Sequence, residues 1–244
     1  MKRFVFIILF LCNFLVHGSP VIVGVVPYAP PFSSKSGSGD NYFGFAIDLM
    51  SQICKRINME CVYKAAPVNS QLSLLNQGTV DVVFTPQPIT VLSNNDYLFS
   101  LPYLASDGQF LTLDANKSIN SAQDVTGKRI GVLKNTLYDS LLRTNHASDS
   151  TITQYGAFED MMTGLVNKDV DVIIMNYSVA HYLINNNVNS FRLVGNKIPV
   201  GEGYGILALQ KNAALIKQIN SALLSLEEDG TYLEIYKQYF GNQI

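Results

Sequence analysis

LLNQGTVDVVFT, residues 74–85, and LVNKDVDVIIMN, residues 165–176, both run from Leu-x-Asn into Val-Asp-Val and a further apolar stretch. Each reads as the end of a helix, a tight turn and a buried strand. The copies stand 91 positions apart (165 − 74), far beyond the roughly 20–50-residue period of a solenoid. They are therefore expected to be equivalent units of two similar α/β lobes. Around them, short apolar runs at 21–26, 61–64, 80–84, 129–133, 152–155, 170–175, 191–194 and 206–209 alternate with helical periodicity. Ala46, Met50, Ile53, Cys54 and Ile57 form one helical stripe; Leu215, Ile216, Ile219, Leu223 and Leu226 form another, with Gly230 as its C-terminal stop. Strands separated by single helices predict right-handed βαβ units and a largely parallel sheet. Ligands of such sheets sit beyond the carboxyl ends of the strands. Thr85, Gln87, Thr90 and Ser93 are thus expected on one edge of a cleft, and Asn176 and Tyr177 on the facing edge.

Composition agrees with a globular chain. Of 244 residues, 48% are apolar and only 15% charged, enough to bury one large core or two smaller ones. Seventeen basic and 19 acidic residues leave a formal charge of −2 without a long run of one sign. Nothing in that balance calls for nucleic acid or an anionic membrane surface as partner.

The N-terminus opens with Lys2-Arg3, an apolar run from Phe4 to Val16, and small residues around Gly18-Ser19. That order predicts a secretory signal at 1–18, cleaved after Gly18, since the apolar run is too short for a bilayer span. Removing Lys2 and Arg3 leaves 15 basic against 19 acidic residues, a net of −4. Export gives meaning to Cys54 and Cys61 in CKRINMEC. On one continuous helix their backbones would stand about 10 Å apart along the axis, beyond disulfide reach. A helix ending near Asn58, with Cys61 turning back as a strand, permits the bridge, which would contribute roughly 2.5 kcal/mol. Two free buried thiols are the alternative. The remaining histidines, His146 and His181, do not stand at ligand spacing from either cysteine, so neither a metal nor another cofactor is expected.

VGVVPYAPPF, FGFAIDLMSQICKRINMEC, VDVVFTPQPIT, FSLPY, GKRIGVLKNT, VDVIIMNYSVAHYL, GYGILALQK and EEDGTYLEIYKQYFG, in this order from residue 21 to the C-terminus, resemble the bacterial extracellular solute-binding proteins of family 3. Within these polar-amino-acid binders of ABC importers, the resemblance is nearest to lysine/arginine/ornithine and histidine binders. It implies a type II-like periplasmic-binding-protein fold. Lobe one would comprise 19–104 with 203–244 and lobe two 105–202, joined by a two-stranded hinge. It also implies a monomer that captures a small solute in the periplasm and hands it to ABC transporter membrane subunits.

The resemblance implies a site chemistry as well. In the family, an Arg after the turn of lobe one and a Thr at a helix N-terminus of lobe two hold an α-carboxylate, while a lobe-two Asp takes the ammonium. An Arg suits that carboxylate because it supplies charge and two parallel hydrogen bonds. Here Ser93 falls at the Arg position, Asn176 at the Asp position and Pro88 at that of a family Ser. Ala29 takes the usual aromatic position, with Tyr28 one residue earlier, and Val26 stands where binders of basic ligands carry an acid. Thr136 in LKNTLYDSLL remains, as an N-cap beside Asn135. A buried zwitterion without partners would lose several kcal/mol. Either the ligand lacks that pair of charges, or other groups such as Lys134 and Lys35 substitute, or the site has decayed.

Tyr28, Phe32 and Tyr177 are aromatic candidates for the cleft wall or for lobe packing. Glu159-Asp160 suit a helix N-terminus; an enzyme resembling the periplasmic cyclohexadienyl dehydratases would need such an acid in the cleft. A sensor or partner protein that binds without transport is the third class. GEGYG at 201–205 precedes a strand instead of opening a helix, so it reads as a hinge segment and not a dinucleotide loop.

Overall fold

The computed structural model describes residues 19–241 apart from 38, 40, 87, 90–95, 147 and 187–189. The expected signal segment, 1–18, lies outside the described residues. The chain begins with β1 (Val21–Val25) and the small antiparallel sheet of β2 (Tyr28–Ala29), β3 (Ser33–Ser36) and β4 (Asn41–Phe43). It continues with α1 (Phe45–Arg56), β5 (Cys61–Ala65), α2 (Gln71–Asn76), β6 (Val82–Val83) and β7 (Tyr97–Phe99). It then crosses to β8 (Gly108–Leu113), β9 (Arg129–Leu133), α3 (Leu137–Asn145), β10 (Thr151–Tyr155), α4 (Phe158–Val166), β11 (Val172–Asn176), α5 (Tyr177–Asn186) and β12 (Phe191–Ile198). It returns as β13 (Leu207–Leu209), α6 (Ala213–Glu228) and α7 (Thr231–Phe240).

Each lobe is built on a five-stranded sheet, ordered β5-β1-β6-β13-β7 in one and β10-β9-β11-β8-β12 in the other. In each sheet four strands run in one direction and one, β13 or β8, runs against them, so two of the four pairings are antiparallel and the sheets are more mixed than the alternation of elements predicts. Strand β8 escaped prediction because buried polar residues interrupt its apolar run. Gln109 and Thr112 are almost fully buried. They are satisfied there by donating to backbone, Gln109 Nε2 to the carbonyls of Val194 and Gly195, and Thr112 Oγ1 to that of Asp171.

The repeated Val-Asp-Val does the same job in both lobes. Asp81 donates its N–H to the Ile22 carbonyl at 2.8 Å, and its carboxylate accepts the Ile22 N–H at 2.8 Å. Asp171 repeats this with Arg129: N–H to carbonyl at 2.8 Å and carboxylate to N–H at 3.0 Å. Each Asp thus pins the start of the lobe's central parallel strand. In space the equivalence runs at 90 positions (171 − 81), one fewer than the Leu-x-Asn match, because α2 ends at Asn76 and α4 at Val166, so Asn167 is the counterpart of Gln77 and not of Asn76. Gly78 (φ 68°) and Lys168 (φ 65°) occupy the same left-handed step after the helix.

Helix α1 buries Phe45, Ala46, Ile47, Leu49, Met50, Ile53 and Cys54 on the first sheet. At roughly 1.5–3 kcal/mol for each large apolar side chain, this stripe holds the helix in place. Its entry requires Gly44, where φ is 128° and a Cβ would stand 2.5 Å from the Phe32 carbonyl oxygen. Its exit is Asn58, in the left-handed region at φ 54°, after which β5 brings Cys61 back to Cys54. The two form a disulfide with Cα atoms 6.0 Å apart.

The crossing segments pair with each other. Tyr103 N–H donates to the Tyr204 carbonyl at 2.8 Å and Tyr204 N–H to the Leu104 carbonyl at 2.7 Å. Helices α6 and α7 pack back on lobe one. Arg56 reaches Ser225 and Asp229, Tyr239 donates to Asp48 at 2.5 Å, and Tyr232 donates to the Tyr103 carbonyl at 2.6 Å. Gly230, at φ 83°, turns the chain between the two helices.

Candidate functional site

A cavity of about 550 Å³ opens between the lobes where the strand ends converge. Lobe one supplies residues 26–30 after β1, 67–71 around the start of α2, and Thr85, Pro86 and Pro88 after β6. Lobe two supplies 133–138 after β9, 156–159 after β10, and Asn176 at the end of β11. The lobes touch across its mouth: the Tyr28 and Phe158 rings lie 6.4 Å apart, and Asn135 Nδ2 donates to Asn69 Oδ1 at 3.4 Å. A smaller cavity of about 360 Å³, among Tyr103, Asp107, Glu202 and Tyr232, lies at the hinge and includes no strand end from the cleft.

Of the residues singled out by sequence, Tyr28, Phe32, Thr85, Asn135, Thr136 and Asn176 come together around the large cavity. Gln87, Thr90 and Ser93 lie outside the described residues. Tyr177 is not part of the described wall. As first residue of α5 it stacks edge-on with His181, centroids 4.4 Å apart, under the Lys197 ammonium at 3.9 Å. Burial, then the Lys197 charge, holds His181 below its usual pKa. Between the two candidate lysines, Lys134 lines the cavity, whereas Lys35 lies over the Tyr42 ring, 5.9 Å from its centroid.

Sequence reasoning missed Gln71, Tyr138, Tyr204 and Phe158, all in the wall. Tyr138 follows Thr136 by two residues, and the N-cap already identified there points to it. Gln71 and Tyr204 carry no local signal, because only the tertiary fold brings them to the cleft.

Most polar groups in the wall are already engaged by the protein. Asn176, 5% exposed, caps α5: its Oδ1 accepts from Ser178 N–H at 2.9 Å and Val179 N–H at 3.2 Å. Its Nδ2 donates to the carbonyls of Ala105 at 3.4 Å and Asp107 at 3.3 Å. Thr136 Oγ1 donates to the Leu133 carbonyl at 2.8 Å and accepts the Asp139 N–H at 3.2 Å, so the expected N-cap serves α3 itself. Thr85 Oγ1 donates to Gln71 Oε1 at 3.4 Å. Tyr138 donates to the Ser106 carbonyl at 3.1 Å and lies 2.8 Å from the Tyr204 hydroxyl. Burial pushes the Tyr138 phenol up to about 12 and that of Tyr204 well above its ordinary value, so both stay protonated near neutrality.

Apart from Asn69, Asn135, Ser140, Lys134 and Glu159, the rest of the wall is apolar, and five prolines (27, 30, 67, 86 and 88) have no N–H to donate. Among the described lining residues, the charged side chains are Lys134 and Glu159. No cluster of acids, histidines or cysteines among the described residues could hold a metal ion.

Two α/β lobes joined by paired crossing segments, with one cavity between their strand ends, define a protein that encloses a small solute. The model of the bacterial extracellular solute-binding proteins, family 3, matches residues 21–242, and the chain belongs to that family. It is 28% identical over 247 aligned positions to the arginine-binding periplasmic protein of Mannheimia haemolytica, covering all of both chains. It is 27% identical to the L-cystine-binding protein TcyJ of Escherichia coli K12, covering 96% of this chain and 87% of the relative. Among solved structures, an arginine transport-system periplasmic binding protein from Legionella pneumophila superposes with a TM-score of 0.86 at 35% identity. That match covers 91% of this chain and 100% of the other. An ancestral arginine-binding protein bound to glutamine gives a TM-score of 0.81 at 29% identity, over 92% and 99% of the two chains. Members of this family bind solutes for transport, and that is the role of this chain.

Proposed function

We propose that this protein captures, in the periplasm, an amino-acid-like solute lacking at least one charge of the α-carboxylate and ammonium pair, and delivers it to the membrane subunits of an ABC importer. The relatives named for arginine and cystine supply the solute class. The observation that carries the departure from it is Asn176: its oxygen caps α5 and its amide hydrogens meet two carbonyls. No negative charge stands there to receive an ammonium group. Ser93, aligned with the family's Arg, lacks a positive charge to match a carboxylate. An unpaired ion in such a site would face a desolvation penalty of several kcal/mol.

Residues 1–18 are proposed to be removed on export, leaving a monomer that begins near Ser19. Intact mass of the exported protein tests both the cleavage and the Cys54–Cys61 bond; two thiols that alkylate without reduction would contradict the latter. Calorimetry against the twenty amino acids tests the ligand reading. Submicromolar binding of arginine, histidine or glutamine would overturn it. Glu159 lies in the cavity wall, so prephenate and arogenate are worth assaying, with no turnover expected of a binding protein.

A further inference from the structure

Lys134 is the one basic side chain among the described residues of the cavity wall. It follows β9, and its backbone N–H is fixed to the Tyr155 carbonyl at 3.0 Å. Its side chain lies against Gly156, where a Cβ would stand 3.6 Å from both Cε and Nζ. The stem is therefore laid along the cavity edge between the ends of β9 and β10, and its ammonium is not ion-paired with Glu159 or with any other described acid. The opposite wall carries Tyr28, Phe32 and the lobe-one prolines, with Asn69, Gln71 and Thr85 among them. Thr85 and Gln71 donate to protein partners, so that wall offers few free hydrogen-bond donors and matches an apolar or aromatic body.

We propose that Lys134 anchors the ligand's carboxylate from lobe two and that the ligand is a monocarboxylate with an apolar, aromatic-sized body and no ammonium group. This ligand class rests on the reading that Asn176 and Ser93 have removed the zwitterion clamp. A lysine suits the task because its ammonium is a point charge that tolerates several carboxylate geometries, unlike the fixed fork of arginine. Glu159 is the acid on the same wall. Near it, a carboxylate is held only where the ligand turns that group toward Lys134, so the position of the carboxylate along the body matters.

Three molecules that share a phenylethyl body separate the charge requirements: 3-phenylpropionate, L-phenylalanine and 2-phenylethylamine, titrated calorimetrically into the mature protein at low salt. The expected order is binding of 3-phenylpropionate, at least tenfold weaker binding of phenylalanine, and none of the amine. Lys134→Met is expected to weaken 3-phenylpropionate at least tenfold while leaving the neutral 3-phenylpropionamide within about threefold; Lys134→Arg should restore most of the loss. A thermal melt of each variant checks that it is folded. If phenylalanine binds as well as 3-phenylpropionate, both this ligand class and the reading beneath it fail. If 3-phenylpropionate is selected but Lys134→Met does not change its affinity, the anchor is wrong and the reading stands. If none of the three binds, the apolar monocarboxylate class is overturned, while the lost zwitterion clamp remains supported.

Discussion

The side-chain amide of Asn176 points its nitrogen at the Asp107 carbonyl oxygen, 3.3 Å away, across the junction of β11 with the chain entering β8. An aspartate cannot make that bond. It would set a carboxylate oxygen against the carbonyls of Asp107 and Ala105 in a site that is 5% exposed.

Asn176→Asp is therefore expected to destabilise the protein by about 1–3 kcal/mol and to lower Tm by several degrees at pH 7. Burial and the facing carbonyls would raise the new carboxyl above its unfolded value of about 3.9. A raised acid weakens the fold when ionised, so the deficit should shrink as pH falls through the raised value. Melts of wild type and variant at pH 7 and pH 5 measure it; an equal deficit at both would contradict this account.

The tyrosine pair predicts an asymmetry. Tyr138 donates to the Ser106 carbonyl, so the bond between the two hydroxyls is donated by Tyr204. Tyr138→Phe leaves two groups without their partner, the Ser106 carbonyl and the Tyr204 hydroxyl, and should cost about 1–3 kcal/mol. Tyr204→Phe leaves Tyr138 bonded to Ser106 and should cost about 1 kcal/mol or less. Chemical denaturation of both variants decides; the reverse order would show that the donor direction is wrong.

At the start of β9, the hydrogen bonds from the Arg129 side chain, then the Arg129 N–H, hold the Asp171 carboxyl below its usual range despite partial burial. A depressed acid contributes stability above its unfolded value, about 3.9, and loses that contribution as pH falls through its folded value. Asp171→Asn should thus cost less than about 1 kcal/mol at pH 7 and make the loss of stability below about pH 4 shallower. Urea titrations from pH 7 to pH 3 follow this, and an unchanged acid limb would count against it.

Closure is a further expectation, since Tyr28 meets Phe158 and Asn135 meets Asn69 only when the lobes are together. Small-angle scattering should show a smaller radius of gyration when a ligand identified by calorimetry saturates the protein. Binding at saturation without compaction would argue against a trap.

The elements that carry their own signal were legible. The stop at Asn58, the strand at Cys61 and the twin Val-Asp-Val units follow from periodicity, the need for a left-handed step and the reach of a disulfide. Strand β8 was not, because the partners that make Gln109 and Thr112 tolerable in the core come from distant segments. The same holds for the site. Thr85, Thr136 and Asn176 stand at strand ends, which a topological rule can find. Gln71 and Tyr204 reach the cavity from a helix start and a crossing segment, where no local pattern marks them. Tyr177 sits one residue past a strand end, and that single step carries its ring out of the cavity wall and over to His181.

Tyr204 belongs at once to the cavity and to the paired segments that join the lobes. Its backbone is bridged to Pro88 and Leu104, while its ring, 1% exposed, lines the cavity and meets Phe32 edge-on at 5.8 Å. The ring is thus a feeler mounted on the axle. If the lobes close on their solute as expected, one too bulky for the pocket would press on this ring and, through its own backbone, on the segments that join the lobes. Such a solute would be turned away after contact, by a jaw that does not shut, and discrimination by size would show itself in how long visitors stay more than in how often they arrive.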